Sequence, residues 1–126
     1  MLIVYLSLTG NVRNFVRRTG FDSFELSYTN PLSEINEDFI VIAPSYDDDI
    51  TEIISSFIDY KNNQDYLKGF VGSGSLNYDD KYCFNAKDLS LKYRKPLIFT
   101  FEFSGTDNDI INFKKEVNEF GIASVK

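Results

Sequence analysis

Residues 1–12 read MLIVYLSLTGNV, six apolar residues running directly into Ser7-Leu8-Thr9-Gly10-Asn11. An unbroken apolar run with no polar alternation is how a strand covered on both faces of a parallel sheet reads. Such a sheet needs crossover helices, and Val12, Phe15 and Val16 supply a helical stripe immediately after the turn. The turn therefore joins the carboxyl end of a strand to the amino end of a helix, where backbone N–H groups and the positive end of the helix dipole converge. An anion is expected there. With one glycine and no lysine, the turn matches neither the dinucleotide fingerprint GxGxxG nor the triphosphate loop GxxxxGK[ST]. It suits a lone phosphate monoester, held by the hydroxyls of Ser7 and Thr9 and by N–H groups of Gly10, Asn11 and Val12. The plainer alternative is that Ser7, Thr9 and Asn11 only cap a helix and shape a turn.

The same alternation continues along the chain. Apolar runs recur at Phe39 to Ala43, Leu67 to Val71 and Leu97 to Phe101, with a shorter candidate strand at Phe24 to Leu26. Between them, Ile50, Ile53, Ile54, Phe57 and Ile58 fall at helical spacing, with Asp49 placed as N-cap and Glu52 as its box partner. Tyr82, Ala86, Leu89 and Tyr93 mark another helix. Ile110, Phe113, Val117 and Phe120 mark a last one that starts after Thr106 and is expected to stop at Gly121. Strand and helix alternate throughout, which predicts one α/β domain over residues 1–126: a doubly wound, five-stranded parallel sheet with helices on both faces and right-handed crossovers. The stretch Tyr28 to Asp38 is its loosest segment.

Composition narrows the function. A chain of 126 residues with 43% hydrophobic content can bury roughly two-thirds of its unfolded surface. Nineteen acidic against 13 basic residues leave a net charge of −6, which argues against nucleic acid and mildly for a basic protein surface as partner. No 18-residue apolar stretch and no cleavable leader pattern is present, so a soluble cytoplasmic protein without a membrane role is expected. Cys83 is the single cysteine and histidine is absent, which excludes an internal disulfide and a CxxC pair and removes the commonest general base and metal ligand. No metal site and no catalytic side chain are expected.

In a doubly wound sheet the ligand crevice lies outside the carboxyl ends of the strands, and the unusual loops all fall there. Pro44-Ser45-Tyr46-Asp47-Asp48-Asp49 offers an aromatic face for a flat ligand; its acids read as one N-cap, Asp49, and two solvated charges. Gly72-Ser73-Gly74-Ser75-Leu76-Asn77-Tyr78-Asp79-Asp80 offers two glycines, suited to positive φ or to close approach of backbone and ligand, and a second aromatic, Tyr78. As an ordinary surface loop it would leave Asp79 or Asp80 to cap the next helix. Cys83, just inside that helix, is either a small packed hydrophobe or a neighbour of the ligand. A phosphate cup, an aromatic loop and a glycine-bearing loop at one sheet edge describe a site for a phosphorylated planar ring, and FMN is the natural candidate.

Taken in order and at these separations, MLIVYLSLTGNVRNFV, VIAPSYDDD, VGSGSLNYDDKYC and PLIFTFEFSGT resemble the NrdI family of flavodoxin-like proteins, from Met1 to about Lys115. The resemblance implies a flavodoxin-like fold and an FMN protein that serves a class Ib ribonucleotide reductase. In that family, reduced FMN reacts with O2, and superoxide or peroxide passes to the radical-bearing small subunit, where a dimanganese centre is oxidised and a tyrosyl radical forms. A related subunit that carries a modified tyrosine is activated in the same way. It also implies an upstream flavin reductant and an accessory role rather than a stand-alone enzyme. Carried across, Ser7, Leu8, Thr9, Gly10, Asn11 and Val12 would hold the phosphate. Pro44, Ser45, Tyr46, Asp47 and Asp48 on one side, and Gly72, Ser73, Gly74, Asn77 and Tyr78 on the other, would flank the isoalloxazine, with Cys83 near its edge.

Two departures from the family pattern stand out. The loop after the third strand is typically glycine-rich beyond its tyrosine, where this chain has Asp47-Asp48-Asp49, and the family's GSGN is GSGS here, with Ser75 in place of asparagine. At an effective dielectric near 20, a carboxylate ~8 Å from an anionic reduced flavin costs it roughly 2 kcal/mol, less with solvent screening. Asp47 and Asp48 are therefore expected to lower the last reduction potential. Docking of the reductase is expected over the flavin edge, through Ser45 to Ile50 and Leu76 to Asp80, with Leu76 and Tyr78 as apolar anchors. The alternatives are an ordinary flavodoxin acting as a one-electron carrier, and a flavin-free interaction module of the same shape.

Overall fold

The computed structural model describes the backbone of residues 1–125, and the side chains of all of these except 78–80 and 122–125. Five strands, β1 (Leu2–Tyr5), β2 (Ser23–Glu25), β3 (Phe39–Pro44), β4 (Leu67–Gly74) and β5 (Leu97–Glu102), alternate with helices α1 (Asn11–Thr19), α2 (Asp48–Ile58), α3 (Asn63–Tyr66), α4 (Phe84–Tyr93) and α5 (Asp107–Val125). A 3₁₀-helix, Leu76–Lys81, lies between β4 and α4. All strand pairs are parallel and the order is β2-β1-β3-β4-β5. The chain winds one way from β1 to β2 and the other way from β3 to β5. That reversal places the switch point between β1 and β3.

The unbroken apolar runs are explained by burial on both faces. Val4, Leu6, Phe39, Val41 and Ala43 pack with Ile50, Ile54, Phe57 and Ile58 of α2 and with Ala86 and Leu89 of α4. Their neighbours in sequence, Ile3, Tyr5, Ile40 and Ile42, point the other way, to Val12, Phe15 and Val16 of α1 and Ile110, Phe113 and Val117 of α5. Phe15 stacks on Phe101 with ring centroids 3.8 Å apart and meets Phe113 edge-on at 5.1 Å. The loose Tyr28 to Asp38 segment is tied down by a wholly buried amide: Asn63 Oδ1 accepts from the Ile35 N–H at 2.8 Å, and Nδ2 donates to the carbonyls of Ser33 (2.8 Å) and Phe57 (2.7 Å).

The structure differs from the sequence expectation at four boundaries. β4 does not end at Val71; Gly72, Ser73 and Gly74 continue it, paired with Thr100, Phe101 and Glu102 of β5. The N-cap of α2 is Asp47, whose carboxylate accepts from the Asp49 N–H at 3.0 Å; three consecutive aspartates offer the same side chain, and the extended backbone at Asp47 selects among them. α5 runs past Gly121 to Val125, because that glycine stays helical instead of turning left-handed. α4 starts only at Phe84, with Cys83 as its left-handed cap at φ 54°; Asp79 and Asp80, considered as caps, have side chains outside the described residues.

Candidate functional site

The loops at the carboxyl ends of β1, β3, β4 and β5 enclose a cleft of about 740 Å³. The loop after β1 forms one end. Gly10 adopts φ 91° as the N-cap of α1, a conformation that favours glycine and lets the chain enter the helix with its first amides turned outward. Among the described residues, no protein acceptor meets the N–H groups of Thr9, Gly10, Asn11 or Val12, while the Arg13 N–H donates to Ser7 Oγ at 3.3 Å. Ser7 Oγ thus accepts from the first turn of α1 and keeps its own O–H to donate. Leu8, Thr9, Asn11 and Val12 line the cleft; Ser7 and Gly10 do not.

Cations are sparing at this end. The Arg13 guanidinium forks onto Glu25 of β2, at 2.7 Å from Nε and 2.6 Å from Nη2, and the Tyr5 hydroxyl donates to the same carboxylate at 2.9 Å. Those bonds hold the Glu25 carboxyl below its ordinary range, and burial together with Glu25 pushes the Tyr5 phenol up. Arg13 therefore braces the short edge strand against α1. Among the described residues, the cation that does line the cleft is Lys81.

The loop after β3 forms one wall, with Pro44, Ser45, Tyr46, Asp47 and Asp48 all lining the cleft. Tyr46 is 69% exposed. Its backbone is fixed from α4: the wholly buried Asn85 accepts from the Tyr46 N–H at 3.0 Å and donates to the Asp47 carbonyl at 2.8 Å and to Thr51 Oγ1 at 3.0 Å. Ser45 Oγ donates to the Ser73 carbonyl at 2.7 Å. The three consecutive acids do not converge, and among the described residues no group of three metal-ligating side chains comes together.

Ser73 and Gly74 form the floor, followed by Ser75. Gly72 and Gly74 of β4 have a reason other than positive φ. A Cβ at Gly72 would lie 2.8 Å from Cys83 Cβ and 3.0 Å from Ala86 Cβ, and one at Gly74 would lie 2.9 Å from the Cys83 backbone N. They admit the start of α4. Gly72 accordingly lies off the cleft lining, as do Asn77 and Cys83. Cys83 is wholly buried, and burial raises its thiol to about 11, so it packs as a small hydrophobe. The side chain of Tyr78 lies outside the described residues. The sequence reading missed four lining residues: Ser75, Lys81, Phe84 and Phe103. Only Phe103 had a readable signal, its place in FEFSGT at a strand's carboxyl end.

A family model described as NrdI flavodoxin-like matches residues 3–115. The chain belongs to the NrdI flavodoxin-like family. Two solved structures show the fold that goes with it. A short-chain flavodoxin associated with a non-canonical PDU bacterial microcompartment superposes with a TM-score of 0.61 at 17% identity, over 99% of this chain and 97% of that one. A cysteine-to-alanine mutant of flavodoxin from Pseudomonas aeruginosa gives 0.59 at 15% identity, over 98% of each chain. Within the NrdI-family chain, no helix among the described residues is long and apolar enough to cross a membrane.

Proposed function

We propose that the cleft binds FMN and that the protein serves the radical-bearing small subunit of a class Ib-type ribonucleotide reductase. The observation that carries this reading is one cleft holding two unlike ends: unpartnered N–H groups from Thr9 to Val12 at the start of α1, and an aromatic wall at Tyr46 beside a floor without side chain at Gly74. The first end suits a phosphate dianion, because oriented amides and the helix dipole favour negative charge without a buried cation. The second suits a flat ring, because Tyr46 supplies a face beside the floor of Ser73 and Gly74. Family membership supports the reductase assignment.

Bound and reduced, the flavin would supply the electrons that turn O2 into superoxide or peroxide for the reductase subunit. The protein's own residues have the remaining work. Thr9, Gly10, Asn11 and Val12 hold the phosphate; Asn85 and Ser45 fix the Tyr46 wall before ligand arrives; Asp47 and Asp48 place negative charge at the ring end and disfavour the anionic reduced form. Leu76, 59% exposed beside the cleft, supplies an apolar anchor for the reductase subunit, and the acidic surface steers a basic rim. A reductant from the same compartment, the cytoplasm, recharges the site.

The test is a visible-absorption titration with FMN, followed by stepwise anaerobic reduction and exposure to air with the manganese-loaded reductase subunit. A bound-flavin spectrum and appearance of a tyrosyl radical are expected. Flavin binding without radical formation makes the protein an ordinary flavodoxin-type carrier; no binding leaves a flavodoxin-shaped interaction module.

A further inference from the structure

The first residue beyond β5 is Phe103, and it combines two features that stability alone does not select. Its backbone sits at φ 52°, where the Cβ of any residue but glycine is crowded, and the residue is 54% exposed. Its surroundings hold it there from three sides. The Phe103 N–H donates to the Gly74 carbonyl at 3.0 Å, and Ser73 Oγ donates to the Phe103 carbonyl at 2.8 Å, both from the cleft floor. From α1, Arg18 Nη1 donates to the carbonyls of Ser104 at 2.8 Å and Gly105 at 3.0 Å. Gly105 is itself left-handed at φ 72°, and a Cβ there would stand 2.8 Å from the Phe15 ring. Strained residues that are over-determined by their neighbours concentrate at ligand clamps. Phe103 lines the same cleft as Tyr46.

We infer that Phe103 is, among the described residues, a second aromatic wall of the cleft, a ring-stacking residue supplied by the loop after β5. The inference rests on the FMN reading and names the partner of Tyr46 within that site. Tyr46 follows β3 and Phe103 follows β5, the two strands paired with β4 on either side. Adjacent strands lie ~4.8 Å apart, so the two loops start roughly 10 Å apart across β4. A planar ring in contact with an aromatic face on each side needs about 7 Å between those faces, two contacts of ~3.5 Å. Tyr46 and Phe103 both line the cleft between the two loops, so both side chains border the space such a ring would fill.

The experiment titrates FMN and riboflavin against the wild-type protein and Phe103→Gly, Phe103→Leu and Phe103→Tyr, reading flavin fluorescence, the absorption band of bound flavin and the melting temperature without flavin. Loss of one stacking face is expected to weaken both flavins about 10-fold in Phe103→Gly, with the FMN-to-riboflavin affinity ratio unchanged because the phosphate end is untouched. Melting of Phe103→Gly is expected at or above wild type, since glycine relieves the left-handed backbone. Phe103→Leu keeps bulk and backbone strain, so weaker binding with wild-type melting in that variant separates stacking from folding; Phe103→Tyr is expected to restore affinity and spectrum. Wild-type affinity and an unshifted band in both Phe103→Gly and Phe103→Leu would overturn the Phe103 assignment while leaving the FMN reading intact. A wild-type protein that binds neither flavin overturns that reading and this inference with it.

Discussion

Gly72→Ala is the substitution whose effect can be worked most directly. The added Cβ would sit 2.8 Å from Cys83 Cβ, 3.0 Å from Ala86 Cβ and 3.1 Å from Cys83 Sγ. Both nearest atoms are Cβ atoms fixed to the backbone, so no flexible tip can swing aside, and the start of α4 must retreat by about 0.6 Å to bring 2.8 Å up to ordinary contact at 3.4 Å. Overpacking of this kind costs ~1–3 kcal/mol, against ~0.5–1 kcal/mol gained by replacing glycine in a strand. Repulsion wins, and a net loss of about 1–2 kcal/mol is expected. With an unfolding entropy of ~2.1 cal/mol/K per residue, a domain of this size loses roughly 4 °C per kcal/mol, so thermal melting should fall by about 4–8 °C. The retreat also carries Asn85, one residue before Ala86, away from the Tyr46 loop it pins, so flavin affinity should fall with stability. A double-mutant cycle with Cys83→Gly, which removes two of the three contacts, should show a coupling above ~1 kcal/mol. Gly121→Ala is the control: nothing lies within 4 Å of a Cβ there, and helix propensity predicts a gain of up to ~1 kcal/mol. A Gly72→Ala protein as stable as wild type, or strict additivity with Cys83→Gly, would refute the close-approach argument.

Asn85→Ala removes three hydrogen bonds from a wholly buried amide and should cost about 2–3 kcal/mol in urea unfolding while weakening FMN binding through the loosened Tyr46 wall. Replacing Asp47 and Asp48 with glycine should raise the potential of the last flavin reduction step in a spectroelectrochemical titration, and should lower stability by only about 0.3 kcal/mol through loss of the Asp47 cap, since glycine is itself a tolerated N-cap; an unmoved potential would remove the electrostatic role assigned to these acids. The Cys83 thiol is raised by burial from 9.0 to about 11, so the stability it contributes is fully present below pH 9 and is lost as pH climbs toward 11. The urea midpoint should fall more steeply over that window in wild type than in Cys83→Ala, and native Cys83 should resist thiol reagents near pH 8; equal slopes would show that the thiol is not buried in solution.

The sheet was legible because its physics is periodic. Strands such as Phe39 to Ala43 announce two buried faces by having no polar alternation, and Ile50, Ile54, Phe57 and Ile58 fit only a helix. The cleft proposed as the site was legible as a set of loops, since every strand-to-helix turn on one edge of a doubly wound sheet must face the same crevice. What escaped were matters decided by tertiary contact. Nothing local distinguishes Asp47 from Asp49 as a cap, or says that Gly121 will remain helical. The pair Gly72 and Gly74 reads as a loop until the approach of Cys83 and Ala86 is known, at which point the same residues become the end of β4. Asn85 looks like an ordinary polar helix residue, and its importance comes from Tyr46, which lies 39 positions earlier.

Arg18 joins residues 86 and 87 positions apart when it holds Ser104 and Gly105. A bridge of that span closes late, because the entropy of so long a loop is recovered only after the intervening strands have paired. As the chain emerges from the ribosome, the first turn and α1 can form from nearby residues, but the wall carrying Phe103 has no anchor until β4 and β5 are both in place. The cleft is therefore a last-assembled feature. Partly synthesised chains display the loop after β1 without the enclosure that the proposed flavin site requires, so on that proposal ligand capture waits for completion of the sheet.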